Sequence, residues 1–132
     1  MNVTKKLFKQ AIADLLHHQG TDEVLSEAAL PAYAHKNPII DYIFWKRLSV
    51  ASSFIDSLDK ANAEILDFGC GTGVFSYAMA QKGHRLYALD LDLTPVRLLS
   101  KTISYPDSIH FVQGDFFKQD FQRTHLRFYC GF

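Results

Sequence analysis

Apolar positions in residues 3 to 18 recur at three- and four-residue steps. Leu7, Ala11 and Leu15 share one face, with Phe8, Ile12 and Leu16 beside them, which predicts an amphipathic helix that Gly20 ends. Thr21 is placed to cap a second, short helix, with Asp22 and Glu23 in its first turn, where the helix dipole favours negative charge, and Pro31 near its end. A third helix is predicted after Asn37, with Pro38 at its first position and a stripe of Ile40, Phe44, Leu48, Ala51, Ile55 and Leu58. Ile39, Tyr42 and Trp45 fall off that stripe. Either the helix is buried on two sides or an apolar patch faces a substrate, a membrane surface or a partner. Packing is the expected reading, because aromatic residues at helical spacing are usually core.

From residue 64 the pattern changes. Glu64 to Phe68 reads as a strand, Val74 to Lys82 as a helix stopped by Gly83, Arg85 to Leu89 as a strand, Pro95 to Ser104 as a helix, and Ile109 to Gln113 as a third strand. Strand and helix alternating through tight connections imply parallel strands with crossover helices, an α/β, doubly wound arrangement. The chain therefore divides into a helical segment, residues 1–62, and an α/β segment, residues 63–132.

Composition narrows the classes. Of 132 residues, 48% are hydrophobic, enough for a core, and 14 Lys plus Arg balance 14 Asp plus Glu. Each segment holds seven charges of each sign, so no basic face for nucleic acid is expected. Cys70 and Cys130 form no CxxC pair and have no histidine at ligand spacing, which suggests neither zinc nor a disulfide framework and fits a reducing, cytoplasmic setting. The N-terminal stretch lacks the apolar run of a secretory signal, and nothing approaches the roughly 18 apolar residues of a membrane span. His17, His18, His84, His110 and His125 have no metal or triad spacing, and no metal is expected.

The segment Ile65 to Gly73, ILDFGCGTG, runs from an apolar strand through three glycines into a helix, at the strand end where open α/β sheets bind ligands. Nicotinamide-dependent oxidoreductases require GxGxxG, but here the third glycine comes one residue early, at Gly73, and position 74 is Val. No GKS or GKT follows, so a phosphate-binding P-loop does not fit. Asp67 at the strand end suits a cationic ligand better than a pyrophosphate. Further along, GHRLYALD, Gly83 to Asp90, ends a strand in a carboxylate 23 residues after Asp67, and IHFVQGDFF, Ile109 to Phe117, ends a strand in Gly114 and Asp115.

These three pieces, in this order and spacing, resemble the class I S-adenosylmethionine-dependent methyltransferases, tightly over residues 64 to 117 and loosely over the N-terminal helices. The resemblance implies a Rossmann-like, mostly parallel sheet, here incomplete at about four strands, preceded by helices in residues 1–62 that act as a cap or lid. It also implies S-adenosylmethionine as cofactor. Asp67 would lie near the methionine amino end, and Gly69 and Gly71 would let backbone approach the methionine part. Asp90 would accept from the ribose hydroxyls, with Asp92 in the same turn a lesser candidate, and Asp115 and Phe116 would hold adenine. Cys70, Gly73 and Leu91 complete the implied cofactor-binding set. None of these is a catalytic base, and no catalytic residue is assigned.

Relatives of this kind continue with a strand similar to FDLV and with further helices and strands. Here the tail reads RTHLRFYCGF; HLRFYCGF has the pattern of a fourth strand, with no acid or amide at its end. The expectation is a truncated product with an apolar sheet edge open to association and with turnover by the chain alone in doubt. The alternative is a non-catalytic module that binds S-adenosylmethionine or a partner. The acceptor, whether small molecule, lipid or protein, is not legible; Tyr33, His35, Tyr42 and Trp45 are the positions to inspect, with core packing or surface as the competing reading.

Overall fold

The computed structural model describes residues 1–19 and 36–118. Within them the elements run α1 (Asn2–Gln19), α2 (Pro38–Ser57), β1 (Glu64–Phe68), α3 (Val74–Gln81), β2 (Arg85–Asp90), α4 (Thr94–Leu99), β3 (Ile109–Gln113) and a 3-10 turn at Phe116–Lys118. The second helix expected after Thr21, and the fourth strand expected in HLRFYCGF, lie outside the described residues.

The three strands are parallel, in the order β1-β2-β3, with Ile65, Leu86 and Ile109 level with one another. This is the Rossmann-like α/β arrangement, with helices preceding it. Alternation along each strand gives the sheet two faces. Ile65, Leu86, Ala88 and Ile109 face a helical layer, where they form one core cluster with Ala78, Met79, Val96 and Ile55. The other face carries Leu66, Phe68, Tyr87, Leu89, His110 and Val112, with Tyr87 stacked on His110 at 5.3 Å between ring centroids.

The N-terminal helices are built into that same layer. Phe8, Ala11 and Ile12 from α1 and Trp45 from α2 share a second cluster with Val74, Leu99 and Ile103. Phe8 is fully buried and meets Tyr77 and Tyr105 edge to face. Charge ties α1 to α2: Lys5 and Lys9 both donate to Asp41, and these hydrogen bonds, that from Lys9 foremost, hold its carboxyl below the usual range.

Local chemistry sets the boundaries. The Asn37 side chain accepts from the Ile39 N–H at 2.9 Å, and Pro38 follows at the first helical position, which starts α2 where the sequence predicts. Gly83, at φ 89°, ends α3 with its N–H on the Ala80 carbonyl.

Two expectations are corrected. The helix predicted over Pro95 to Ser104 stops at Leu99. Beyond it the bonding is mixed, with Thr102 at three-residue and Ile103 at four-residue spacing both donating to the Leu99 carbonyl, and the Ser100 hydroxyl bonds back to the Arg97 carbonyl, while Ile103 is buried in the core. The predicted stripe of α2 holds at Ile55, which is buried, and at Phe44, Leu48, Ala51 and Leu58, which are partly buried, but Ile40 is exposed, while Trp45 and Asp41, the latter neutralised by two lysines, join the inner face. Ile39, Tyr42, Ile43, Val50 and Phe54 are exposed, so packing accounts for Trp45 among the off-stripe residues but not for Ile39 or Tyr42.

Candidate functional site

Parallel strands in register bring their carboxyl ends to one rim. Phe68, Leu89 and Val112 are level there, and Asp90 lies beside Gln113. Beyond β1 the chain enters the glycine loop. The N–H groups of Gly69 and Cys70 both donate to the Leu89 carbonyl, at 2.8 and 3.1 Å, and Gly114 donates to the Asp90 carbonyl at 3.0 Å. The pairing of the sheet thus continues past its formal ends and locks all three loops together.

Asp90 is the hinge of this rim. Its Oδ2 accepts from the Gly71 N–H at 2.8 Å and its Oδ1 from the Asp92 N–H at 3.2 Å, across 19 and 2 residues of sequence. A carboxylate oxygen can accept more than one hydrogen bond, so both retain capacity for another donor. Asp92 has a different occupation. Its Oδ1 takes the Thr94 N–H at 2.9 Å and the Thr94 hydroxyl at 2.6 Å, an Asx turn that leads into α4 and lowers its pKa. Leu91, between them, is 73% exposed.

Asp67 lies beneath the loop rather than on it. It is 3% exposed, and its Oδ2 accepts the Ser76 hydroxyl at 2.6 Å, at the third residue of α3. Burial pushes its pKa up to about 6, against the opposing Ser76 hydroxyl and backbone hydrogen bonds, with a further increment from the nearby Asp90 charge. Because the folded-state value lies above the unfolded one of 3.8, the folded state holds this proton more tightly. Its effect is fully favourable below pH 4, is lost as pH rises toward 6, and is flat above; the difference is about 3 kcal/mol. In urea unfolding, Asp67→Asn is therefore expected to gain on the native chain as pH rises from 4 to 7, checked by the difference in unfolding free energy.

Cys70 points its thiol into the core beside Ala88, Leu93 and Val96, and burial pushes its pKa up. Asp115 accepts the Phe117 N–H at 3.0 Å and so opens the 3-10 turn, while the Phe116 ring meets Phe68 edge to face at 5.5 Å. Gly69, Gly71 and Gly73 all have positive φ. Their surroundings differ: a Cβ at Gly69 would meet no atom within 4 Å, whereas one at Gly73 would lie 3.1 Å from the Phe111 ring and 3.3 Å from Tyr105. Gly69 therefore faces open space and Gly73 faces packed aromatic rings.

The rim is acidic, with Asp90, Asp92 and Asp115 above the buried Asp67, and Arg97 beside it is held by Gln113 at 3.0 Å and Asp92 at 3.8 Å. Among the positions to inspect for an acceptor pocket, Tyr42 lies on the outer face of α2 and Trp45 in the core; Tyr33 and His35 lie outside the described residues. His84 is buried, and its Nδ1 accepts the Ala63 N–H at 3.1 Å, a role in holding the entry to β1.

Sequence reasoning passed over Ser76, Gln113 and Tyr105. Tyr105 donates its hydroxyl to the Thr72 carbonyl at 2.8 Å across 33 residues, and no local pattern marks such a pairing. Tyr105→Phe keeps the ring packing and removes this bond; it is expected to cost about 1 kcal/mol in the urea midpoint.

The profile of the methyltransferase domain family matches residues 65–130, half of the chain. Cypemycin N-terminal methyltransferase of a Streptomyces species is 40% identical over 60 residues, 46% of this chain and 24% of that protein. Ribosomal RNA small subunit methyltransferase A of Mycoplasmopsis pulmonis is 24% identical over 76 residues, 58% of this chain and 30% of that protein. The chain thus spans about a quarter to a third of the length of these curated relatives. Among solved structures, the glycopeptide N-methyltransferase MtfA is similar with a TM-score of 0.44 at 19% identity, over 61% of this chain and 40% of that one. A TehB-like methyltransferase from Corynebacterium glutamicum has a TM-score of 0.42 at 26% identity, over 60% and 47%. With its glycine loop, its parallel sheet and a family match over half its length, the chain belongs to the methyltransferase domain family, among the class I S-adenosylmethionine-dependent methyltransferases.

Proposed function

We propose that this chain binds S-adenosylmethionine at the carboxyl rim of its sheet and supplies the cofactor half of a methyl transfer to a small-molecule or peptide acceptor. The observation that carries the reading is the loop itself: Gly69 opens onto free space while the Asp90 carboxylate holds the Gly71 N–H at 2.8 Å. The donor set fits the cofactor. It is rich in carboxylates, and Arg97 beside it is engaged by Gln113 and Asp92, which suits a ligand bearing hydroxyls, an amine and a sulfonium, and disfavours a phosphate.

When bound, S-adenosylmethionine supplies a methyl on a positively charged sulfur with a neutral thioether as leaving group. The residues present then have positional roles. Asp90, already fixed by two backbone N–H groups, would offer its remaining lone pairs to the ribose hydroxyls. Gly69 would allow close backbone approach to the methionine part, and Leu91 and Phe116 would flank the adenine that Asp115 accepts from. Asp67 would act through Ser76 and α3, steadying the loop from below. Gly73 would shape the loop, and Cys70 would fill the space behind it. The chemistry depends chiefly on holding the methyl in line with the acceptor, for which proximity and orientation supply most of the rate.

The relative named cypemycin N-terminal methyltransferase supports a peptide or small-molecule acceptor, and residues 1–62 are the segment we assign to its side of the site. A reducing, cytoplasmic setting is proposed from the absence of paired cysteines in the sequence. Calorimetric titration of S-adenosylmethionine into the 132-residue chain, with size exclusion to establish that it is monodisperse, tests the reading. Saturable binding supports it. Folded, monodisperse protein without binding overturns it.

A further inference from the structure

The outer face of α2 has no place in the reading above. Ile39, Ile43, Val50 and Phe54 are 67%, 54%, 56% and 59% exposed, and their spacing of four, seven and four residues sets them in one row along the helix. Tyr42 flanks the row, also exposed. Burial of this face is not needed to hold the helix, because Trp45, Ser52 and Ile55 already anchor its opposite side.

Among the described residues of α2, charge on this face has a single sign. The two acids of α2 are neutralised on other faces, Asp41 by Lys5 and Lys9, and Asp56 by Lys82 at 2.7 Å. Lys46 and Arg47 remain beside the apolar row, both exposed. With Tyr42, Ile43 and Val50 they frame a hollow of about 280 Å³. An apolar floor bordered by two cations complements an amphiphile with an anionic head. A second copy of this face would set like charges against each other, which disfavours self-association.

We infer that α2 docks the chain in the plane of an anionic phospholipid surface, with Ile39, Ile43, Val50 and Phe54 entering the acyl boundary and Lys46 and Arg47 at the level of the phosphates. A helix with an apolar row edged by an aromatic and by Lys and Arg has the pattern of interfacial helices. It does not cross: no helix among the described residues is long and apolar enough to span a membrane. The inference is independent of methyl transfer.

The test is cosedimentation of the full chain with sucrose-loaded vesicles of equal parts phosphatidylglycerol and phosphatidylcholine, against phosphatidylcholine alone. The chain is expected to pellet with the anionic vesicles and to be released as salt is raised. Lys46→Glu with Arg47→Glu is expected to weaken binding roughly tenfold or more, and Ile43→Ser with Phe54→Ser to abolish it. All four positions are exposed, and unchanged circular dichroism checks that the variants fold. Three results would overturn the inference: no pelleting with either vesicle, equal pelleting of native chain and both variants, or a discrete dimer that Ile43→Ser with Phe54→Ser breaks in the absence of lipid binding.

Discussion

Replacing Asp90 by Ala is expected to weaken S-adenosylmethionine binding by roughly 100-fold or more, since two hydrogen bonds to one charged group disappear together. The side chain also ties the Gly71 and Asp92 N–H groups, so the variant is expected to lose about 1 to 2 kcal/mol of stability as well. The neighbouring Asp92→Ala separates the two effects. Asp92 is bound to Thr94, not to the loop, so its loss is expected to cost about 1 kcal/mol of stability while leaving the affinity within roughly threefold. Calorimetry beside urea unfolding on the same two proteins measures both quantities. Equal loss of affinity in the two variants would show that rim charge in general, and not the Asp90 bracket, governs the site.

Gly73→Ala is expected to damage the fold, and Gly69→Ala the site. Both glycines have φ near 74°, where an L side chain costs about 1 to 2 kcal/mol. At Gly73 the added methyl also presses on Phe111 and Tyr105. Neither ring yields readily: they pack edge to face at 5.1 Å, and Tyr105 is further held by its bond to Thr72 and its contact with Phe8. The expected total is about 3 kcal/mol, visible as a lower urea midpoint. At Gly69 nothing is struck, so only the backbone penalty applies, while the methyl projects where a ligand must approach. There the stability loss is expected to stay at about 1 to 2 kcal/mol, with an affinity loss of roughly tenfold or more, about 1.4 kcal/mol. An unchanged midpoint for Gly73→Ala would mean that the aromatic wall repacks freely.

The vesicle experiment and these substitutions concern separate parts of the molecule. Residues at the rim belong to the strand ends and their loops, whereas the exposed row of α2 lies on the far side of a helix whose inner face is packed by Trp45 and Ile55. Loss of one property without the other would establish that independence.

The sequence by itself determined the α/β frame from residue 64 onward, because strand period, glycine punctuation and loop length are local signals. β1 and β3 occupy the predicted residues, and the rim residues Asp67, Gly69, Asp90 and Asp115 could be named from their places at strand ends. Local signals were also enough for the start of α2, where Asn37 and Pro38 act within a single turn. Only the tertiary structure decided what each side chain does. Asp67 and Asp90 look alike as strand-end acids; one is buried under α3 against Ser76 and the other holds the glycine loop, a difference created by packing across 9 and 19 residues. Periodicity placed Phe44, Leu48, Ala51 and Ile55 on the packed side of α2 but not Trp45 or Asp41, since apolar residues surround much of that helix and Lys5 and Lys9, from another element, are what allow Asp41 to turn inward. Early termination of α4 followed from Ile103 reaching the core, and the wall behind Gly73 from Tyr105 and Phe111 meeting there. Pattern fixes where elements form because hydrogen bonding and side-chain spacing act over a few residues. Burial, pairing and charge state depend on neighbours that only the closed fold supplies.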